Sequence, residues 1–175
     1  MAEENNYAVF LVPVAWEPRY WSFPPRELEI CMLKTEGGPD ECEYPGGHQK
    51  KGETLFQTGI RKTQEETGLE VIEVIPHQIY REIFGKTVVV GYPALVKPKK
   101  AAEITAFIQK KNEVEKATKR KKKHVSAGWY SKPEDVPWTE GAPDSLFEEF
   151  AKTSAAVAAY RKEKLGAFFL KVKEG

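Results

Sequence analysis

The stretch that decides the fold is GGHQKKGETLFQTGIRKTQEETGL, residues 46–69. Gly46, Gly47 and Gly52 let the backbone approach a ligand closely just ahead of a helix N-terminus. The periodicity predicts a helix over 54–67, closed by Gly68 in the left-handed conformation that suits glycine. At about 100° per residue, Leu55, Phe56, Gly59, Ile60 and Thr63 share the face meant for a core. Gly59 costs about 1 kcal/mol relative to Ala in mid-helix, which a close helix–sheet contact would explain. Lys62, Glu65 and Glu66 fall in a sector of about 100° on the other side. Two neighbouring carboxylates directed away from the core can hold a hard divalent cation, with water and phosphate oxygens completing an octahedron. On an isolated helix the same residues would amount to an exposed Arg61–Glu65 pair worth a few tenths of a kcal/mol, roughly. The glycine loop ahead of them, together with the spacing set out next, tips the reading toward the ion.

Gly47, Glu53, Arg61, Glu65, Glu66, Gly68 and Leu69 resemble the Nudix box: Gly, five residues, Glu, seven residues, then Arg-Glu-apolar-any-Glu-Glu-any-Gly-apolar. Seven of its nine defined positions agree. The resemblance implies a Nudix-type α/β/α sandwich with a mixed β-sheet, one domain over 1–175 with its box at 47–69. It further implies metal-dependent hydrolysis of a diphosphate linkage in a nucleoside diphosphate derivative. By the same resemblance Glu65 and Glu66 bind Mg²⁺ or Mn²⁺ with the Gly46 backbone carbonyl, Gly46 and Gly47 forming the loop against the ion. Arg61 would hold Glu53 in an ion pair that shapes the loop–helix corner. Gly47-His48, Gly52-Glu53 and Thr63-Gln64-Glu65-Glu66 are similar to the dinucleoside-polyphosphate branch of the family.

Lys62 departs from that pattern, which has a Glu there. Reversing the charge about 5 Å from a divalent ion costs about 3 kcal/mol even at the dielectric of water, or about a hundredfold in affinity. The ammonium also lies one helical turn before Glu66 and can stand in for a cation. In one reading Lys62 extends outward and a carboxylate elsewhere compensates, from among Glu82, Glu103, Glu113 and Glu115. The enzyme then keeps weakened metal binding and weakened turnover. In the other reading the fold binds RNA or a nucleotide within a larger assembly, after catalysis was lost. Thr63, where an aliphatic is usual, is a milder departure.

The 175 residues are enough for one self-sufficient core. A formal net charge of +1 implies no general attraction to nucleic acid or membrane. The charge is uneven, however, with eleven Lys or Arg against three Glu over 97–123. Lys119, Arg120, Lys121, Lys122 and Lys123 are candidates for phosphate contacts with RNA, for a nuclear address, or for a solvated helix end. Trp16, Tyr20, Trp21 and Phe23 read first as cover for the edge of a core. Second, with Trp21 as the candidate, they read as a platform for base stacking worth about 1–3 kcal/mol. His48 reads as an exposed loop residue before it reads as a phosphate contact.

Cys31 lies in an apolar run and is expected to be a buried free thiol, which fits a reducing compartment. The acidic start MAEENNY lacks the character of a signal peptide, and the longest apolar run, 7–16, is too short to span a bilayer. An intracellular, cytoplasmic protein is expected. Strands are expected at 7–16, 27–34, 41–44, 69–75, 78–84, 87–96 and 124–130, and helices at 101–116 and 144–165. Pro13 should mark a bulge or an edge.

Overall fold

The computed structural model describes residues 6–16, 28–36, 42–117, 124–138 and 143–174, giving only the backbone at 116–117 and from 165 onward. In chain order the elements are β1 (Asn6–Ala15), β2 (Ile30–Thr35), β3 (Cys42–Glu43), β4 (Gly46–His48), α1 (Leu55–Thr67), β5 (Val71–Val74), β6 (Tyr80–Phe84), β7 (Thr87–Val96), α2 (Ala101–Ala117), β8 (His124–Tyr130) and α3 (Asp144–Glu174). A short 3-10 turn, Pro133–Asp135, precedes α3.

Alternation along the central strands assigns every side chain to one of two faces. Val12 and Val14 of β1, Ile30 and Met32 of β2 and Leu95 of β7 pack with Leu146, Phe150 and Val157 of α3. Their neighbours Val9 and Leu11, with Val88, Val90, Tyr92 and Ala94, meet Leu55, Phe56 and Ile60 of α1. Cys31, Leu33 and Val96 meet Ile104 and Ile108 of α2. The result is a three-layer α/β/α sandwich, with α1 and α2 on one face and α3 on the other. The sheet is mixed: β1 and β7 run parallel in register from Asn6↔Thr87 to Ala15↔Val96, and the other pairings are antiparallel.

Pro13 lies neither at an edge nor at a bulge. It sits mid-sheet, paired with Ala94 in an unbroken register. Its missing N–H explains why this is tolerated. On that side of β1, Leu11 N–H donates to Pro45 O and Ala15 N–H donates to Glu29 O. Pro13 falls between them, where β1 passes from β4 to β2. Pro93 repeats the device on β7, where pairing passes from β6 to β5. A residue without a donor costs nothing in the ladder where the strand changes partner.

Two other expectations need correction. Residues 46–48 form a strand, because the glycine backbone lies directly against β1: a Cβ at Gly46 would stand 2.6 Å from Val9 O. The last helix runs on to Glu174, and its core stripe is buried Leu146, Phe150, Thr153 and Val157 followed by half-buried Tyr160, at alternating spacings of four and three. Phe147 is one position off that stripe and 45% exposed.

Candidate functional site

α1 begins where Thr54 accepts from Gln57 N–H and Gln57 Oε1 accepts from Thr54 N–H, a reciprocal capping box. The Thr-x-x-Gln spacing encodes it. Gly68 ends the helix at φ 69°. Two lysines from outside the helix serve its last carbonyls, Lys99 on Gly68 O at 3.1 Å and Lys111 on Glu65 O at 2.9 Å. Cations suit that end of the dipole. Gly59 is the expected point of close approach: a Cβ there would stand 2.8 Å from two Leu11 carbons.

Arg61 gathers the loop–helix corner. Its Nε donates to Glu53 Oε1 at 2.6 Å, one terminal nitrogen reaches Glu53 Oε2 and His48 O at 3.1 Å each, and the other lies 3.3 Å from Glu65 Oε2. Lys50 N–H and Thr58 Oγ1 also donate to Glu53. The hydrogen bond from Arg61, followed by that from Lys50, holds the Glu53 carboxyl down to about 2. His48 itself is exposed.

The three residues of the outer sector separate. Glu65 stays at the surface with 43% of its side chain exposed, whereas only 5% of Glu66 is. The expectation that both carboxylates point to solvent is therefore corrected for Glu66. Its flank of the helix is covered by β4 and by the start of β8, long-range neighbours that helical spacing does not reveal. Gly46 N–H donates to Glu66 Oε1 at 3.1 Å, and His124 Nδ1 lies 3.1 Å from Glu66 Oε2. The second contact is close but not aligned as a hydrogen bond, so Oε2 is a buried carboxylate oxygen without a hydrogen-bond partner.

Lys62 does not reach outward. Its chain lies across Gly47, where a Cβ would stand 2.5 Å from Lys62 Cε, and its ammonium sits 3.6 Å from Glu65 and 3.7 Å from Glu66 Oε1. A side chain at position 47 would push the flexible end of Lys62 aside. None of the four expected compensating carboxylates joins Glu66. Glu82 accepts from Tyr80 OH, Glu103 accepts from Lys100 N–H, and Glu115 lies 3.9 Å from Lys111. The groups gathered round Glu66 are instead His124, itself 6% exposed, and Glu43, whose Oε1 lies 2.6 Å from His124 Nε2. Asn112 Nδ2 donates to His124 O at 2.7 Å and ties the start of β8 to α2. Glu43 and His124 are 81 positions apart. No short-range pattern links them, and the sequence carries no signal for their pairing.

Beside Glu43 lies a cavity of about 300 Å³, walled by Phe10, Tyr44, Trp138, Leu146 and Glu149. Tyr44 stacks on Phe10 at 5.3 Å and donates to Glu149 at 3.0 Å. Burial, more than Glu149, pushes the Tyr44 hydroxyl far up, and burial also raises the Glu149 carboxyl. Trp16, of the predicted aromatic cluster, packs edge-on against Tyr160 with Arg161 over its ring, as cover for the core. Tyr20, Trp21, Phe23 and the basic run Lys119, Arg120, Lys121, Lys122 and Lys123 lie outside the described residues.

Residues 23–145 match the NUDIX domain, most of the chain's length. The chain belongs to the NUDIX domain family. Over 72 residues this Nudix protein is 33% identical to the asymmetrical bis(5'-nucleosyl)-tetraphosphatase of Rattus norvegicus, an overlap covering 41% of this chain and 45% of that protein. The match thus spans less than half of that relative. A Nudix hydrolase from Nitrosomonas europaea superposes with a TM-score of 0.52 at 15% identity, over 85% of this chain and 69% of that one. The C. elegans Ap4A hydrolase in its binary complex gives 0.55 at 18% identity, over 87% and 98%. At such identities the likeness bears on the fold. Among the described residues, no helix of this Nudix chain is long and apolar enough to cross a membrane.

Proposed function

We propose that this Nudix protein hydrolyses a diphosphate linkage in a nucleoside diphosphate derivative, with a dinucleoside polyphosphate as first candidate. The observation that carries the reading is the assembled corner of the box. Arg61 grips Glu53, His48 and Glu65, while Gly46 fixes one oxygen of Glu66. The match to a tetraphosphatase supports the substrate class.

The donor set fits a divalent ion, Mg²⁺ or Mn²⁺, because Glu66 Oε2 is a buried acceptor that a cation would satisfy. Glu66 would hold it, and Glu65 and the Gly46 carbonyl are the further candidate ligands on the outer face. When bound, the ion neutralises phosphate charge and makes water a stronger nucleophile. The chain's own part is positional. Glu53 and Arg61 keep the β4–α1 corner in one frame. Phe10, Tyr44 and Trp138 offer flat apolar surface to a base. The free buried thiol of Cys31 fits a reducing, intracellular setting.

Lys62 favours a second reading. With its ammonium between Glu65 and Glu66, the box carries its own counter-ion and could serve as a silent module binding RNA or a nucleotide in an assembly. A panel of dinucleoside polyphosphates and nucleoside diphosphate derivatives with Mg²⁺ and Mn²⁺ separates the two. The enzyme reading requires turnover of some member and its loss in Glu66→Gln. An inert parent protein that still binds nucleotide or RNA establishes the module.

A further inference from the structure

Glu66 has two oxygens in different surroundings. Oε1 accepts from Gly46 N–H and faces Lys62, whereas Oε2 faces His124 Nδ1 at 3.1 Å without hydrogen-bond alignment. The other ring nitrogen of His124 meets Glu43 at 2.6 Å, and a carboxylate there takes the N–H of Nε2. Nδ1 then offers a lone pair toward a buried carboxylate oxygen, a repulsive arrangement unless something positive lies between them. Two donors bound to one ion at about 2.1 Å and about 90° stand about 3 Å apart, the separation found here. A carboxylate on the far nitrogen is also the usual device for orienting a metal-bound histidine.

We infer that His124 Nδ1 and Glu66 Oε2 form a mixed nitrogen–oxygen site for a first-row divalent metal, with Glu43 as the residue that positions His124. This rests on the metal dependence proposed above and moves the ion to the inner flank of Glu66. There Lys62, on the opposite oxygen, need not leave. A nitrogen donor favours Mn²⁺, Co²⁺ or Zn²⁺ over Mg²⁺. Glu65, held at the surface by Arg61 and Lys62, is not required.

The test uses the full chain loaded with Mn²⁺ and read by pulsed electron paramagnetic resonance, alongside calorimetric titration. The parent protein should show nitrogen modulation from one imidazole, and His124→Gln should abolish it. Glu43→Gln, which keeps the shape of the site, should weaken Mn²⁺ by about 10- to 100-fold. Glu65→Gln should leave affinity within about threefold, and Mg²⁺ should bind at least about tenfold more weakly than Mn²⁺. If Mn²⁺ binds the parent without nitrogen modulation and Glu65→Gln removes it, the ion sits on the outer face: this inference fails while the hydrolase reading stands. If the parent binds no divalent metal, the inference fails as well. Turnover without metal by that same protein would show that the hydrolase reading is independent of it.

Discussion

Lys62 is the residue on which the outer face of α1 turns, since one ammonium lies within 4 Å of two carboxylates that the box pattern leaves to an ion. Replacing it by Glu removes that counter-charge and adds a third acid. Lys62→Glu should raise Mn²⁺ affinity about a hundredfold, from a charge reversal worth about 3 kcal/mol. It should also lower thermal stability in the absence of metal. Calorimetry with unchanged affinity would show that the lysine is electrostatically idle. Glu53 gives a second residue-scale prediction. Its carboxyl is held at about 2 in the folded protein, below its unfolded value near 4.5. A depressed folded value contributes stability above the unfolded one, and the contribution disappears as pH falls from there toward 2. Glu53→Gln should therefore be less stable than the parent at about pH 6, and the difference in melting temperature should close on acidification through that window. A gap that stays constant to about pH 2 would mean the Arg61 pair contributes nothing.

At the scale of elements, the extent of α1, its cap at Gly68 and the close approach at Gly59 were legible because those signals are local, whereas the burial of Thr58, Glu66 and Thr67 depends on neighbours from elsewhere in the chain. β4 was not legible, since three glycine-rich residues become a strand only when β1 pairs with them. The prolines show the same limit. Both occupy long strands, and only knowledge of where each strand changes neighbour makes Pro13 and Pro93 acceptable inside the sheet. The helix–sheet contact can be tested through Gly59. Gly59→Ala gains about 1 kcal/mol of helix propensity but drives a Cβ into fully buried Leu11, an overpacking cost of about 1–3 kcal/mol. The substitution should be neutral to destabilising by up to about 2 kcal/mol in the parent and stabilising by up to about 1 kcal/mol where Leu11→Ala has made room. Equal effects in the two backgrounds would refute the contact as the reason for glycine.

Across the whole molecule, the part of the site that sequence patterns miss is the part assembled from the far side of the fold. Glu66 comes from the box, His124 from the first residue of β8, and Glu43 from a two-residue strand ahead of the glycine loop. Such a cluster keeps its spacing only if the layers form together, and the cysteines report on that. Cys31 belongs to the layer under α2 and Cys42 to the layer under α3; both are buried. Burial alone pushes the Cys31 thiol up to about 12, so it should be inert toward thiol reagents while folded. If residues 1–175 are one cooperative domain, labelling followed site by site in increasing urea should expose both thiols at a common midpoint. Cys42 lies in the short strand beside Glu43 and is the place where a local opening would show first. Its reaction well below the midpoint of Cys31 would mean that the layer carrying α3 unfolds separately. The His124–Glu66–Glu43 cluster would then open without loss of the central sheet, and metal affinity should fall at that same lower urea concentration.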